Sequence, residues 1–88
     1  MSIPEPIYSP EPTFSEEARK AKFQGIVLLM LVVGKDGRTY HIHVRQSLGM
    51  GLDEQAIEAV KNWRFRPAIL NGEPVASQLA VQVDFRLY

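Results

Sequence analysis

Residues 26–45 read IVLLMLVVGKDGRTYHIHVR, two runs rich in β-forming residues on either side of a Gly-Lys-Asp-Gly turn. Asp-Gly between such runs indicates a β-hairpin, because Gly37 tolerates the positive φ that a tight turn demands. The first run, Ile26–Val33, is apolar on both faces and is therefore predicted to be a central strand. The second run, Thr39–Arg45, alternates and predicts a half-buried strand. One of its faces carries Tyr40, Ile42 and Val44, and the other carries His41, His43 and Arg45.

An amphipathic helix is predicted after the hairpin, beyond a loop at residues 47–51. Its apolar stripe recurs at helical spacing and consists of Leu52, Ala56, Ala59, Val60 and Trp63. Asp53 and Glu54 lie in the first turn, where the helix dipole favours anions. The Arg66-Pro67 pair forces an extended backbone soon after the stripe ends. We therefore predict a helix from Leu52 to Asn62.

The two ends of the chain have different patterns. Residues 1–13 contain four prolines and predict an extended, polyproline-like lead-in. A short helix, Ser15–Lys22, is predicted to follow, with Ser15 as its N-cap and Gly25 as its end. Near the C-terminus, residues 71–74 predict a turn, and Gln78–Leu87 alternates as a last strand. The inward side chains of that strand are predicted to be Leu79, Val81, Val83, Phe85 and Leu87.

Together these elements predict an α+β fold with a three-stranded antiparallel or mixed sheet. A right-handed crossover through the long helix places the third strand beside the first, in the spatial order second-first-third, with that helix on one face. Residues 1–13 are the lead-in and residues 14–88 the domain. Trp63 could belong to a recognition surface, but its place on the apolar stripe favours a core role. The predicted structural core contains Leu52, Ala56, Val60, Trp63 and Phe65.

The composition excludes several classes of function. The chain has 88 residues, ten basic and ten acidic side chains, and no cysteine. Zero net charge removes the broad field that drives nucleic-acid binding, so no nucleic-acid partner is predicted. The absence of cysteine excludes disulfides, thiolate zinc sites and thiol chemistry. The longest apolar run has eight residues, against ~20 for a membrane span, so membrane contact is expected only through an anchor in a longer parent protein.

Candidate reactive side chains are few. His41 and His43 could share a metal, because residues two apart on a strand point the same way. No third ligand is evident nearby, so exposed strand histidines are favoured, and no metal or other cofactor is predicted. Ser47 and Ser77 lack the nucleophile elbow or adjacent base that a hydrolase requires. The prediction is that the chain is not an enzyme.

Several stretches resemble the C-terminal domain of the TonB family of energy transducers. The most specific is residues 52–68, with its Leu-Asp, Ala-Val and Trp-Arg-Phe-Arg-Pro-Ala pieces. Residues 12–19, Gln24-Gly25 and Asp36-Gly37 also fit, as do residues 72–75 and 83–87, so the resemblance covers Pro12 to Leu87. Phe14-Ser15 stands where the family often has Tyr-Pro.

The resemblance implies a periplasmic domain of a Gram-negative-type bacterium. Such a domain captures the TonB box, a short extended segment of an outer-membrane transporter, and couples inner-membrane energy to transport. Physically, capture of this kind is β-augmentation, in which an edge strand offers unpaired backbone groups to a second chain.

We expect the partner at the last strand, which is an outer edge in the predicted order and contains no proline. The predicted partner-binding residues are Gln78, Ala80, Val81, Gln82, Val83, Asp84, Phe85 and Arg86. Two alternatives stay open. The same edge, or the uncovered face of Ile26–Val33, could pair with a second copy in a homodimer of structural role. The fold could instead serve as a sensor or appended domain in a regulatory membrane protein with no receptor partner.

Overall fold

The computed structural model describes residues 2–86. Met1, Leu87 and Tyr88 lie outside the described residues, and with them the predicted inward placement of Leu87 and the outermost ends of the predicted lead-in and domain. Within the described part, no helix has the length and apolar character needed to cross a bilayer. The elements in chain order are β1 (Glu5–Tyr8), α1 (Glu16–Ala21), β2 (Gly25–Val33), β3 (Thr39–Gln46), α2 (Leu52–Lys61), β4 (Arg64–Arg66), β5 (Ala68–Leu70), β6 (Glu73–Val75) and β7 (Ser77–Phe85).

The main sheet has three antiparallel strands in the order β3-β2-β7. This is the second-first-third order expected from the sequence, with the all-apolar strand β2 in the centre. Four alternate side chains of β2 point into the core, where α2 covers the sheet. The fully or nearly fully buried core residues include Val27, Leu29, Leu31 and Val33 from β2, Leu52, Ala56 and Val60 from α2, and Val83 and Phe85 from β7. The predicted α+β class is confirmed.

Two short strand pairs were not expected from the sequence. The lead-in is extended, as predicted, but its strand β1 also pairs with β4 in an antiparallel ladder. Strands β5 and β6 form a hairpin around Asn71 and Gly72, whose φ values are 52° and 81°. Positive φ at both central residues is typical of a type I′ turn, for which Asn-Gly is the strongest sequence signal. The prediction of a turn at residues 71–74 was therefore incomplete.

The helices begin and end close to the predicted residues. Ser15 caps α1, since its Oγ accepts a hydrogen bond from the Ala18 N–H at 3.2 Å. The prediction that Gly25 ends this helix is wrong. The left-handed Lys22, at φ 53°, is the C-cap, and its N–H bonds back to helix carbonyls. Gly25 instead begins β2.

Strand β3 departs from the predicted alternation at a β-bulge. Across one shift in the ladder, Leu31 of β2 faces two residues of β3, His41 and Ile42. His41 has φ 51°, in the left-handed region that a histidine seldom occupies. An extra residue of this kind changes the phase of the side chains on either side of it.

The bulge corrects two predictions about β3. Ile42 and Val44 pack against the core, but Tyr40 is 44% exposed and does not share their face. The alternation that would place His41 and His43 on one side is likewise interrupted. Within residues 2–86, no group of three or more histidine or acidic side chains could hold a metal ion.

Asp53 organises the loop that precedes α2. One of its carboxylate oxygens accepts hydrogen bonds from the N–H groups of Leu48, at 2.9 Å, and Gly49, at 3.3 Å. The other oxygen accepts one from the hydroxyl of Ser47. Burial raises the pKa of Asp53, but the three hydrogen bonds outweigh it and hold the pKa below its ordinary value of 3.8.

We expect the stability of Asp53→Asn to fall less at low pH than the stability of the parent chain. A carboxyl whose pKa is lower in the folded state contributes stability that is present above its unfolded pKa and is lost as the pH falls through its folded pKa. The parent chain should therefore lose stability below about pH 3.8, and the variant should lose less. Thermal unfolding between pH 7 and pH 2 measures this, with the exposed Asp84→Asn as the matched control. An identical acid dependence in parent and Asp53→Asn would contradict the stabilising role of these hydrogen bonds.

Candidate partner-binding site

Strand β7 forms one edge of the main sheet. It pairs with β2 through nine consecutive residue pairs, from Gly25–Phe85 to Val33–Ser77. Its opposite side pairs with no other strand among residues 2–86. In an antiparallel strand, backbone groups point alternately to the two sides, so every second residue of β7 directs its N–H and C=O away from β2. A row of backbone donors and acceptors is therefore open to a further strand.

The predicted partner-binding residues divide into two groups. Val81, Val83 and Phe85 are buried in the core and can meet a partner only through their backbone atoms. The other five side chains are exposed, and Arg86 lies one residue beyond the end of the strand. They are Gln78, Ala80, Gln82, Asp84 and Arg86. A partner strand would thus gain backbone hydrogen bonds along the whole edge and side-chain contacts at alternate positions.

A cleft of ≈ 270 Å³ lies beside the C-terminal half of this edge. One wall is formed by Gln82, Val83 and Asp84 of β7 and by Arg86, which follows the strand. The other is formed by Ser9, Glu11 and Pro12 of the lead-in and by Phe14 at the start of the domain, and Trp63 contributes to the lining. The sequence interpretation did not place the lead-in next to the predicted partner edge.

Trp63 and Phe14 position this wall of the cleft, in addition to the pairing of β1 with β4. The indole Nε1 of Trp63 donates a hydrogen bond to the Pro10 carbonyl at 2.9 Å. Phe14 meets Phe85 edge-on, with ring centroids 5.5 Å apart. A tryptophan N–H needs an acceptor when the ring leaves water, and this was the one sequence signal for the contact.

The predicted core residues occupy two kinds of position. Leu52, Ala56, Val60 and Phe65 are buried within the core. Trp63 is only partly buried and packs against the edge of that core, with its ring 6.1 Å from the ring of Phe65. Trp63 therefore lies between the core and the cleft.

The ion pairs among the described residues, one of them at the β7 edge, are weak and solvated. Arg86 lies 3.8 Å from Asp84, and both side chains are about half or more exposed. Arg66 lies 3.7 Å from Glu5, and Lys61 lies 3.1 Å from Glu58. Exposed pairs of this kind contribute at most about 1 kcal/mol. Affinity at this edge is therefore expected from backbone hydrogen bonds more than from charge.

Comparison with known proteins identifies the family. Residues 10–87 match the family model described as the C-terminal region of the Gram-negative bacterial TonB protein. The chain belongs to the TonB C-terminal family. The protein TonB of Vibrio cholerae is 33% identical over 78 residues, which are 88% of this chain and 32% of that protein. The protein tonB2 of Pseudomonas aeruginosa is 33% identical over 82 residues, which are 92% of this chain and 30% of that protein.

A solved TonB structure has the same fold. The solution NMR structure of the Pseudomonas aeruginosa TonB CTD matches with a TM-score of 0.76 and 25% sequence identity, covering 99% of this chain and 89% of that chain. The resemblance to TonB C-terminal domains and the predicted fold class are both confirmed. This chain spans about a third of the length of its curated TonB relatives. The TonB C-terminal family is not a family of enzymes.

Proposed function

We propose that this TonB C-terminal domain captures an extended TonB-box-like segment of an outer-membrane transporter as a new strand on β7. The observation that carries the proposal is the regularity of the β7 edge. All nine of its residues pair in register with β2, its other side has no strand partner within residues 2–86, and it contains no proline. Regular, unpaired edges are the usual receptors for β-augmentation.

The chemistry of the edge favours a weak, reversible complex. Four or five new backbone hydrogen bonds, each worth about 0.5–1.5 kcal/mol net, are offset by the cost of ordering a flexible peptide. Backbone pairing therefore supplies less than the ~8.2 kcal/mol of a micromolar complex, and by itself it corresponds to roughly millimolar or weaker binding. Reversible capture fits a transducer that couples inner-membrane energy to transport in the periplasm and must release its receptor after each event.

An N-methyl scan of the captured peptide tests this mode of binding. In β-augmentation, every second peptide N–H donates to β7, so methylating those nitrogens should weaken binding about tenfold or more, while methylating their neighbours has a much smaller effect. Calorimetric titration of the full chain with each methylated TonB-box peptide gives the pattern. A loss of affinity with no two-residue period would contradict strand addition, even if the peptide binds.

The second candidate function is a structural one, in which the domain forms a homodimer. On the outer face of the sheet, Ile26 and Tyr40 are 43% and 44% exposed, and apolar surface of this kind favours contact with a second copy. Sedimentation of the chain alone at increasing concentration tests this. A clean monomer at millimolar protein would remove the homodimer from consideration and leave receptor capture.

A further inference from the structure

The two edges of the main sheet differ in regularity. β7 uses nine residues, Ser77–Phe85, against nine residues of β2. β3 uses eight residues, Thr39–Gln46, against six residues of β2, Leu28–Val33, so β3 contains two extra residues. Both register shifts of the main sheet therefore lie between β2 and the edge strand β3. An incoming strand would meet evenly alternating backbone groups at β7 but not at β3.

The register shift at His41 also changes the local backbone conformation of β3 and gives the His41 carbonyl a side-chain contact. The positive φ of His41 turns its peptide units out of the extended conformation of the strand. The ring nitrogen Nδ1 of His43 lies 3.3 Å from the carbonyl oxygen of His41. In the tautomer that carries its proton on Nδ1, His43 donates to this carbonyl, so the contact occupies one acceptor site of the bulge.

We propose that the His41 bulge closes the β3 edge to strand addition, so that the sheet accepts a partner strand at β7 alone. Natural sheets use bulges in this way to block edge-to-edge pairing. If both edges were regular, β3 of one copy could pair with β7 of the next. Such a head-to-tail contact does not close on itself and leads to open-ended assembly. The part of this inference that concerns β7 rests on the proposed function, whereas the closure of β3 does not.

Deletion of His41 is a direct test, because residues 39–44 would then alternate without a break, and only the shift at Arg45, near the end of the strand, would remain. Thr39, Ile42 and Val44 would then face the core, and Tyr40 and His43 would face outward. The inward packing of Ile42 and Val44 is kept, so the deletion should fold. His41→Gly is the matched control, since glycine adopts positive φ readily and retains the bulge.

The probe is a synthetic peptide with the sequence of β7, residues 77–85. Amide hydrogen exchange is measured by NMR on the labelled full chain. In every variant, the peptide concentration is about nine times the dissociation constant for the His41 deletion variant. In the His41 deletion, exchange at alternate amides between Thr39 and Val44 of β3 should slow about tenfold, as expected when nine-tenths of the sites are occupied. In the parent and in His41→Gly, the β3 amides should show no slowing.

The outcomes separate this inference from the proposed function. Slowed exchange at β3 in the parent, or none at β3 in a folded deletion variant, would overturn closure by the bulge. If the deletion variant does not fold, the result for the parent chain is used alone. Unchanged exchange of the β3 amides then supports closure by the bulge, and slowed exchange overturns it. Unchanged amide exchange in β7 in every variant would count against the proposed function, while the result at β3 would still stand.

Discussion

Replacement of Phe85 by alanine is expected to lower the free energy of unfolding by about 3–5 kcal/mol. Phe85 is fully buried, is among the largest side chains of the core, and makes the edge-on contact with Phe14. Removal of the Phe85 ring leaves a cavity and also removes the contact that holds Phe14 in place. A chain of 88 residues has a total stability of about 4–13 kcal/mol, so this one change removes a large part of it.

Chemical denaturation of parent and variant measures the loss. Gln82→Ala, on the exposed side of the same strand, is the matched control and should change stability by less than about 0.5 kcal/mol. A loss below about 1 kcal/mol for Phe85→Ala would show that β7 does not pack against the core as described.

Substitution of Gly37 by alanine should cost about 2–5 kcal/mol. Gly37 closes the turn between β2 and β3 with φ 81°, and its carbonyl accepts the N–H of Phe65 at 2.8 Å. A Cβ at this position would stand 2.3 Å from the backbone oxygen of Phe65. The left-handed conformation accounts for about 1–2 kcal/mol, and the overlap with β4 for a further ~1–3 kcal/mol.

Gly72→Ala provides a control for the conformational part alone. Gly72 has the same φ of 81°, but no atom lies within 4 Å of a Cβ built there. Its substitution should therefore cost only about 1 kcal/mol. Equal losses for the two variants, measured by thermal unfolding, would mean that the close approach of β4 to the turn has no energetic weight.

Long periodic segments could be predicted from the sequence, whereas short pairings could not. The apolar run of β2, the stripe of α2 and the alternation of β7 each extend over nine or ten residues, enough to identify an element and its buried face. β4 has three residues, and its partner β1 lies in the proline-containing lead-in. Three residues carry no measurable period, and nothing local indicates such a distant partner.

The candidate site could be predicted in part: the edge position of β7 follows from the sequence, whereas its long-range contacts do not. The position of β7 at an edge follows from strand order, and strand order follows from the short hairpin and the helical crossover. The second wall of the cleft depends on the pairing of β1 with β4, on one indole hydrogen bond and on the Phe14–Phe85 ring contact, all between distant residues. The bulge at His41 was hidden because β3 reads as a clean alternation, and only its pairing with β2 shows the extra residue.

Amide hydrogen exchange on the labelled chain, with and without a TonB-box peptide, tests the central claim most directly. At a peptide concentration about nine times the dissociation constant, exchange at every second amide of β7 should slow about tenfold, because those N–H groups then donate to the partner. The amides of α2 and β3 should be unchanged. Protection that clusters on α2 and leaves β7 unaltered would contradict strand addition at this edge.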